Sequence, residues 1–364
     1  MKKILISTGG SGGHVVPALN LYQHLKNDFD VKIYTDVRGA KYIPKDIKKN
    51  IFEVRKLPEK KYLLPLKIIF IFFSFIKSLV HLTRNKFDII ISTGGYMSLP
   101  IVLAAKIFNI KIYLIEPNSI IGRSNKFLLK FFNNILCYDK NLLIDNKNFN
   151  LETKNISNNK KIIIEPLLNK CFYSHKNSGR EIKKTLKILI IGGSQASLFF
   201  SKKLKNEIID LASKYHIEVT QQLSSEYDIV DYKKEYDKKN IKNNLFFFEN
   251  NFLCKENNFD IAITRAGAST LAELAHLGIP FISIPFPYAT DNHQFLNTKR
   301  YLDLNCCWIL EEKNFISGDI YKIINKIMLN KNEYILKKNN LEKLSDNNTW
   351  EDINKKIIKY FNDY

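Results

Sequence analysis

Four short turns in this sequence carry residue types that can bind an anion or move a proton. Three of them are rich in glycine and lie at residues 9–14 (GGSGGH), 93–96 (TGGY) and 192–195 (GGSQ). The fourth, at 265–270 (RAGAST), places an arginine before a run of small residues. Turns of this kind leave backbone N–H groups free at the start of a helix, and such groups suit a phosphate. The pattern predicts a binding site for a phosphorylated ligand.

Two side chains beside these turns have a chemistry of their own. His14 ends the first turn, where a neutral imidazole can take a proton from a sugar hydroxyl as a general base. The same position also suits a histidine that only makes a structural hydrogen bond. Glu273 lies one turn into the helix that follows Arg265, where its carboxylate can accept two hydrogen bonds from a ribose diol or simply favour the helix dipole. The residues alone leave both pairs of alternatives open.

The glycine turns do not match the common nucleotide motifs well. No Gly-Lys-Ser/Thr follows any of them, which excludes a Walker A loop. The dinucleotide fingerprint is matched only weakly, by Gly10 and Gly12 with Asp36 at the end of the next strand. No set of His, Asp and Glu residues has the spacing of a metal site, so we expect neither a catalytic metal nor a cofactor. A nucleotide cleft explains the turns better than a dehydrogenase site.

Apolar, β-branched segments alternate with helix-length segments along the chain. This alternation is typical of α/β proteins with doubly wound parallel sheets, whose ligands bind outside the carboxyl ends of the strands. The first helix is predicted at 18–26, with Pro17 at its first position. The predicted strands are 3–8, 31–36, 51–57, 88–92, 111–115, 135–139, 186–191, 217–221, 245–248, 260–264 and 281–285.

The strand pattern restarts near residue 166, at a Glu-Pro pair. We therefore predict two Rossmann-like domains of ordinary size, at 1–165 and 166–344. The last segment, 345–364, contains an amphipathic helix with no strand after it, and we expect this helix to pack back on the first domain.

Charge and composition narrow the class of partner. The chain has 364 residues and a formal net charge of +20, with 45% hydrophobic and 25% charged residues, which is typical of a globular protein with a strong positive field. It has no basic helix interleaved with aromatic residues and no known nucleic-acid module, so we expect no nucleic-acid partner. The five cysteines have no CxxC spacing, and their odd number argues against a disulfide framework and for a reducing cytoplasm.

The most apolar stretch, residues 60–84, has three interpretations. Its uninterrupted core at 68–73 is short for a membrane-spanning helix, which needs about 20 apolar residues. A helix buried against the first sheet is the second interpretation, and a helix whose outward side chains enter a bilayer is the third. We favour a helix that is part core and part interfacial, with an anionic membrane surface as the partner of 60–86. Its basic residues are Lys60, Lys61, Lys67, Lys77, Arg84 and Lys86.

Several motifs in one order resemble the MurG family, the N-acetylglucosaminyltransferases of peptidoglycan synthesis, and the resemblance covers essentially the whole chain. The matching segments are GGSGGHVVP at 9–17, TGGY at 93–96, EPN at 116–118, GRSN at 122–125, GGSQ at 192–195, RAGASTLAE at 265–273 and DNHQ at 291–294.

The resemblance implies a GT-B fold, in which two Rossmann-like domains face one another across a cleft. It implies an inverting transfer of N-acetylglucosamine (GlcNAc) from UDP-GlcNAc to the 4-hydroxyl of N-acetylmuramic acid (MurNAc) in lipid I, which is undecaprenyl-diphospho-MurNAc-pentapeptide. The implied products are β-1,4-linked lipid II and UDP, with no essential metal in the transfer. The implied location is the cytoplasmic face of the bacterial inner membrane, as a peripheral enzyme.

The resemblance also implies roles for the residues at matching positions. His14 and Glu116 are the implied catalytic residues, with His14 as the candidate base. The implied acceptor-binding residues are Gly94, Gly95, Tyr96 and Asn125, and the first two glycine turns would receive the acceptor diphosphate. The implied donor-binding residues are Ser11, Gly12, Gly13, Asn118, Ser194, Arg265, Ala268, Ser269, Thr270, Leu271, Ala272, Glu273, His293 and Gln294.

The sequence departs from the family pattern at three places. The family usually has Gly-Asn-Pro-Val-Arg at the interdomain junction, whereas Leu168 stands here at the arginine position. Pro117 replaces the usual glutamine, and Ala196 the usual glycine. Two other functions are compatible with the motifs: another GT-B glycolipid transferase, such as a diacylglycerol sugar transferase, and a non-catalytic subunit that binds a nucleotide sugar and recruits a partner.

Overall fold

The computed structural model describes residues 1–51, 64–144, 160–174, 182, 184–193, 198–247, 249, 251–346 and 348–363, with the side chains of 64–68 left out. The chain forms two compact units. The first comprises Met1–Asn169 together with Thr349–Tyr364, and the second comprises Lys170–Asn348. The limits predicted from the sequence, at 165 and 344, lie a few residues before these.

The first unit is built on a sheet of seven parallel strands. The strands are β1 (Lys3–Ser7), β2 (Asp30–Thr35), β3 (Lys49–Ile51), β4 (Ile89–Ser92), β5 (Lys111–Glu116), β6 (Asn134–Cys137) and β7 (Lys161–Ile163). Their order across the sheet is β3-β2-β1-β4-β5-β6-β7. The helices between them are α1 (Gly12–Leu25), α2 (Val37–Ala40), α3 (Leu64–Arg84), α4 (Ser98–Ile107) and α5 (Arg123–Leu128).

The second unit is built on a sheet of six parallel strands. The strands are β8 (Thr185–Ile191), β9 (His216–Gln222), β10 (Lys242–Phe246), β11 (Ile261–Thr264), β12 (Phe281–Ser283) and β13 (Cys307–Ile309), in the order β10-β9-β8-β11-β12-β13. Its helices are α6 (Leu198–Ala212), α7 (Glu226–Lys238), α8 (Phe252–Lys255), α9 (Ala268–His276), α10 (His293–Asp303), α11 (Asp319–Leu329) and α12 (Asn332–Ser345).

Each sheet reverses its strand order once, and the four turns lie at these reversals. In the first unit the reversal falls between β1 and β4, whose following turns are 9–14 and 93–96. In the second unit it falls between β8 and β11, which are followed by the turns 192–195 and 265–270. The central strands are buried along their whole length, as in IIIS of β4 and IAIT of β11, so helices cover both faces and only the strand ends remain for ligands.

The last helix, α13 (Trp350–Asp363), returns to the first unit. Its buried residues Ile353, Ile357 and Phe361 recur every four positions, which forms one apolar stripe. The Phe361 ring meets Tyr113 of β5 edge to face at 5.5 Å, and Nζ of Lys2 donates to the main-chain oxygen of Phe361 at 3.0 Å. The chain therefore completes its first unit with its last helix.

Several predicted boundaries were wrong. Helix α1 begins at Gly12, six residues before its predicted start, and Pro17 lies inside it. This is tolerated because a proline in the second turn removes only one backbone hydrogen bond. Helix α9 begins at Ala268, inside the fourth turn. Strands β7 and β13 were not predicted, since each has only three residues. The predicted strand 51–57 lies outside the described residues beyond Ile51.

The odd cysteine count argued against a disulfide framework, and the described residues contain one disulfide. Cys171, in the 3-10 turn Lys170–Ser174, is bonded to Cys254 of α8, with 5.7 Å between the Cα atoms. An odd number of cysteines still permits one disulfide. These two cysteines are 83 residues apart in the sequence, so only the tertiary fold shows that they are neighbours. The three other cysteines, Cys137, Cys306 and Cys307, are free and buried.

Candidate functional site

The first glycine turn ends in an open helix N-terminus. Gly10 adopts a φ of +84°, a left-handed conformation that favours glycine, and Ser11 precedes the helix without a side-chain cap. No described residue accepts a hydrogen bond from the N–H of Gly12 or Gly13. These two groups are the donors that an anion at the start of α1 would meet.

A buried carboxylate holds this turn in place. Oδ1 of Asp36 accepts hydrogen bonds from the N–H of Gly10 (2.9 Å) and of Gly39 (2.8 Å), and Oδ2 accepts from Arg38. Burial alone would raise the pKa of Asp36, but these hydrogen bonds and the Arg38 charge outweigh it, so the pKa is lowered. Asp36 matched the dinucleotide fingerprint weakly, but its carboxylate binds the turn and Arg38 and is not left to bind a ribose.

His14 is tied to the turn after β4. Its Nδ1 lies 2.8 Å from the main-chain oxygen of Thr93, and the Thr93 hydroxyl donates to the main-chain oxygen of His14 at 2.9 Å. A Cβ placed on Gly94, whose φ is +97°, would lie 2.9 Å from the imidazole. One on Gly95 would lie 3.0 Å from the oxygen of Gly9. The two turns pack so closely that only glycine fits between them.

Glu116 organises the loop after β5. One carboxylate oxygen accepts from the N–H of Asn118 (3.3 Å) and its Nδ2 (2.9 Å), and the other accepts from the N–H of Gly122 and Nδ2 of Asn125, both at 3.1 Å. A Cβ placed on Gly94 would also lie 3.0 Å from Nδ2 of Asn125, so this loop and His14 both border Gly94. A catalytic role for Glu116 stays a prediction, whereas its contacts are those of a residue that positions others.

The remaining predicted acceptor residue, Tyr96, lies on the surface. Its ring is more than half exposed, one residue beyond Gly95. The structure brings His14, Gly94, Gly95, Asn118 and Asn125 into one region of the first unit, and their roles in catalysis and binding stay predictions.

In the second unit, Arg265 is buried and already paired. Its side chain is 8% exposed, its Nη2 lies 2.5 Å from Oε2 of Glu312, and its Nη1 donates to the main-chain oxygen of Ile284 at 3.0 Å. The rings of Phe200 and Phe286 lie 5.0 and 5.6 Å from the guanidinium. Burial lowers the pKa of Arg265, while Glu312 acts against that shift. A contact of Arg265 with the donor diphosphate stays a prediction.

Helix α9 begins at the fourth turn without a side-chain cap. Gly267 precedes it, and no described residue accepts from the N–H groups of Ala268, Ser269 or Thr270. The side chains of Leu271 and Ala272 are buried, and a contact of these residues with the donor stays a prediction. Glu273 is partly exposed and its carboxylate has no partner among the described residues; burial raises its pKa to about 8.

Helix α10 supports the fourth turn from the other side. Oε1 of Gln294 accepts from the N–H of Ala266 (3.2 Å) and of Phe286 (2.9 Å), which leaves the amide NH₂ group to donate. Asn297, one helical turn later and buried, donates to the main-chain oxygen of Ala266 at 3.0 Å. His293, a predicted donor-binding residue, forms a hydrogen bond through Nδ1 with the main-chain oxygen of Thr290, at 2.8 Å.

The last two segments of the predicted site are the third turn and the interdomain junction. Ser194, Gln195 and Ala196 lie outside the described residues, but Gly192 before them donates to Oε1 of Gln222 at 3.1 Å. At the junction, Leu168 is buried in the first unit, and the neighbouring Leu167 accepts a hydrogen bond from Asn20 through its main-chain oxygen at 2.8 Å. The side chain at the family's arginine position is thus part of a core.

Helix α3 has an apolar outer face and a partly polar inner face. Ser74, Ser78 and Leu82 are buried against the unit, whereas most of the exposed side chains between residues 69 and 84 are apolar. These exposed residues are Ile69, Phe72, Phe73, Ile76 and Val80. A surface helix of a globular protein normally has the opposite arrangement.

Two features are absent from the described residues. No helix among them combines the length and the apolar character that a membrane crossing requires. No group of three or more His, Cys, Asp and Glu side chains in the described ranges is arranged to hold a metal ion.

Both units match domains of one known protein family. Residues 4–137 match the glycosyltransferase family 28 N-terminal domain, and residues 187–356 match the glycosyltransferase family 28 C-terminal domain. The solved structure of Acinetobacter baumannii MurG superposes with a TM-score of 0.77 over 100% of both chains, at 18% identity. Two Rossmann-like units with these matches define a glycosyltransferase of the GT-B fold class, as the sequence predicted.

Full-length relatives narrow the class further. A UDP-N-acetylglucosamine–N-acetylmuramyl-(pentapeptide) pyrophosphoryl-undecaprenol N-acetylglucosamine transferase of Pelagibacter ubique (strain HTCC1062) is 44% identical over 363 residues, covering 100% of this chain and 99% of that protein. The Rickettsia canadensis (strain McKiel) protein of the same name is 33% identical over 335 residues, 90% of each chain. The chain therefore belongs to this family of N-acetylglucosamine transferases, and the predicted resemblance is confirmed.

Proposed function

We propose that this enzyme transfers GlcNAc from UDP-GlcNAc to the 4-hydroxyl of MurNAc in undecaprenyl-diphospho-MurNAc-pentapeptide, giving lipid II and UDP. Its full-length identity to the Pelagibacter ubique transferase supports the reaction. The observation in the structure that carries the proposal is the bond between His14 Nδ1 and the Thr93 oxygen, because it prepares the imidazole for proton transfer.

The proposed chemistry is a single displacement at the anomeric carbon of GlcNAc. Nε2 of His14 takes the proton from the MurNAc 4-hydroxyl while that oxygen forms a bond to the anomeric carbon from the face opposite UDP. The bond between the carbon and the UDP oxygen breaks at the same time, and UDP leaves with the electron pair. One displacement inverts the configuration, which gives the β linkage from an α-linked donor.

The second unit would bind the donor. The open N-terminus of α9 offers the N–H groups of Ala268, Ser269 and Thr270 to the UDP diphosphate, where negative charge grows as UDP departs. Arg265 holds the turn in shape through Glu312 and Ile284. The carboxylate of Glu273 accepts from the ribose hydroxyls, and the amide NH₂ of Gln294 donates to a GlcNAc oxygen.

The first unit would bind the acceptor at a membrane surface. We assign the outer face of α3 to the bilayer, since its exposed phenylalanine and isoleucine side chains would leave water there. Lys77 and Arg84 on the same helix are exposed and suit anionic headgroups. Of the other basic residues predicted for this contact, Lys60 and Lys61 and the side chain of Lys67 lie outside the described residues. The enzyme would thus be a peripheral protein of the cytoplasmic membrane face, where undecaprenyl-linked acceptors and UDP-GlcNAc meet.

A transfer assay tests the reaction. Purified enzyme is incubated with radiolabelled UDP-GlcNAc and a short-chain lipid I analogue in the presence of EDTA, and the disaccharide lipid is separated and counted. Labelled product is the expected result and would establish donor, acceptor and metal independence together. Transfer to diacylglycerol instead would reassign the acceptor. Binding of UDP-GlcNAc without transfer to either lipid would indicate a recruiting subunit.

A further inference from the structure

Arg38 lies beside the first glycine turn, at a place where the sequence motifs assign no function. Its side chain is 47% exposed, and its Nη2 would lie 3.8 Å from a Cβ on Gly10. The residue belongs to α2, which follows β2, the neighbour of β1 in the sheet. The carboxyl end of β2 therefore brings a guanidinium to the turn that opens α1.

Asp36 fixes the direction of this guanidinium. Nε and Nη2 of Arg38 donate to Oδ2 of Asp36, at 2.9 and 2.7 Å, so one edge of the guanidinium fork is fully used. Asp36 is itself buried and held by the N–H groups of Gly10 and Gly39. The same carboxylate thus sets both the turn and the arginine, and the two cannot shift independently.

Part of the guanidinium remains available. Arginine has five N–H donors, and no described residue accepts from the two on Nη1 or from the second on Nη2. Helix α1 begins two residues after Gly10, with the free N–H groups of Gly12 and Gly13. The first turn of α1 carries no acidic residue. A planar cation with free donors beside an open helix N-terminus suits a ligand with several phosphate oxygens.

We propose that Arg38 binds the diphosphate of the lipid-linked acceptor, with Asp36 as the positioning residue that orients it. This assignment rests on the proposed function, because that function supplies the diphosphate ligand. The donor also carries a diphosphate, but the helix N-terminus proposed to bind it belongs to α9 of the second unit. Arg38 lies beside the first glycine turn, which the family resemblance assigns to the acceptor diphosphate. Arg38 would therefore govern the affinity for the acceptor and leave the affinity for UDP-GlcNAc unchanged.

Steady-state kinetics of R38Q test this assignment. Glutamine keeps an amide that can donate to Asp36, so the turn stays supported, but it lacks the charge and the free edge. The matched control is K41Q, which removes an exposed positive charge three residues away that forms no side-chain hydrogen bond or ion pair with a described residue. We expect R38Q to raise the KM for a lipid I analogue at least tenfold, the scale of a lost charged hydrogen bond to phosphate, with the KM for UDP-GlcNAc unchanged. K41Q should behave as wild type.

Three outcomes would overturn the proposal. A rise in the UDP-GlcNAc KM alone would assign Arg38 to the donor diphosphate. Equal effects of R38Q and K41Q would show that Arg38 acts only through the net positive charge of this surface. Unchanged kinetics in R38Q would show that Arg38 has a structural role only.

A separate titration keeps this test independent of the transfer reaction. Calorimetric binding of inorganic pyrophosphate to the wild-type protein, R38Q and K41Q does not require turnover. If wild-type enzyme transfers no sugar, the proposed function fails, and weaker pyrophosphate binding by R38Q than by K41Q still supports a diphosphate site at Arg38. Equal binding by the two variants would exclude it.

Discussion

Nδ1 of His14 lies 2.8 Å from the main-chain oxygen of Thr93, and this contact determines where the imidazole carries its proton. A carbonyl oxygen can only accept, so the neutral ring must be protonated on Nδ1 and must keep the lone pair on Nε2. The Thr93 hydroxyl donates in return to the main chain of His14, which fixes the two turns to each other. The tautomer that the fold selects is the one that a general base needs.

Replacement of His14 by alanine should lower kcat by about 10²-fold or more, since a general base contributes on this scale. Affinity for UDP-GlcNAc, measured by calorimetry, should stay nearly unchanged, because the groups proposed to bind the uridine diphosphate belong to the second unit. The control is His216→Ala, which removes an exposed histidine of β9. Unchanged turnover in the His14 variant would transfer the role of base to Glu116 or to solvent.

Gly94→Ala should disturb catalysis through contact with His14. A Cβ there would lie 2.9 Å from the imidazole and 3.0 Å from Nδ2 of Asn125, so the ring must move away from Thr93. We expect kcat to fall at least tenfold, because misplaced catalytic groups lose rate steeply.

The matched control for this change is Gly318→Ala. Gly318 has nearly the same φ, +95°, but a Cβ on it would meet nothing within 4 Å. Both variants carry the same backbone strain, about 1–2 kcal/mol, so the melting temperature should fall in both, and it should fall further in Gly94→Ala, which also displaces His14 and Asn125. Equal activity of the two variants would show that the space over Gly94 does not control the imidazole.

The sequence predicted the frame of the site because that frame follows local rules. Buried strands, glycine turns and helix starts can be recognised from consecutive residues. The strand order then places the turns at the two points where the order reverses. The groups that hold the turns were missed, since Asp36 meets Gly10 and Glu312 meets Arg265 only through the tertiary fold. Asn297 was missed for the same reason, although its place one helical turn after Gln294 on a buried face was a usable signal.

The outer face of α3 should control membrane binding. The double variant Phe72→Ser and Phe73→Ser removes two exposed aromatic side chains from this face. We expect binding to vesicles of anionic phospholipid to weaken at least tenfold in a sedimentation assay, since burying a phenylalanine contributes about 1.5–3 kcal/mol. Tyr227→Ser, which removes an exposed ring from α7 of the second unit, should bind as wild type. Undiminished binding by the double variant would contradict the assignment of α3.

Glu273 should make donor affinity depend on pH. Burial raises its pKa to about 8, so at pH 7 most of the carboxyl is protonated in the free enzyme. Ribose hydroxyls donate to the ionised form, so binding should release a proton and affinity should rise with pH. Calorimetry with UDP-GlcNAc should show about a tenfold gain in affinity between pH 7 and pH 9. Glu273→Gln should bind more weakly and without this dependence, and the same slope in the variant would assign the proton to another group.

His24 should make the stability of the first unit depend on pH. Its ring stacks on Trp350 of α13 at 3.9 Å, its Nδ1 lies 3.1 Å from Oδ1 of Asn354, and its Nε2 is buried without a partner among the described residues. Burial lowers its pKa from 6.5 to about 4, against a smaller raising effect of the Asn354 hydrogen bond. The unfolded chain therefore binds a proton that the folded chain excludes between these values. Stability from His24 is complete above pH 6.5 and is lost as the pH falls towards 4.

Urea unfolding followed by circular dichroism measures this effect. Between pH 7 and pH 5 the free energy of unfolding should fall by about 2 kcal/mol more in wild type than in His24→Phe, which keeps a stacked ring but cannot titrate. His216→Gln, at an exposed histidine, should keep the wild-type dependence. If His24→Phe loses as much stability as wild type over this range, other groups carry the dependence, and the contact between α1 and α13 does not sense pH through this histidine.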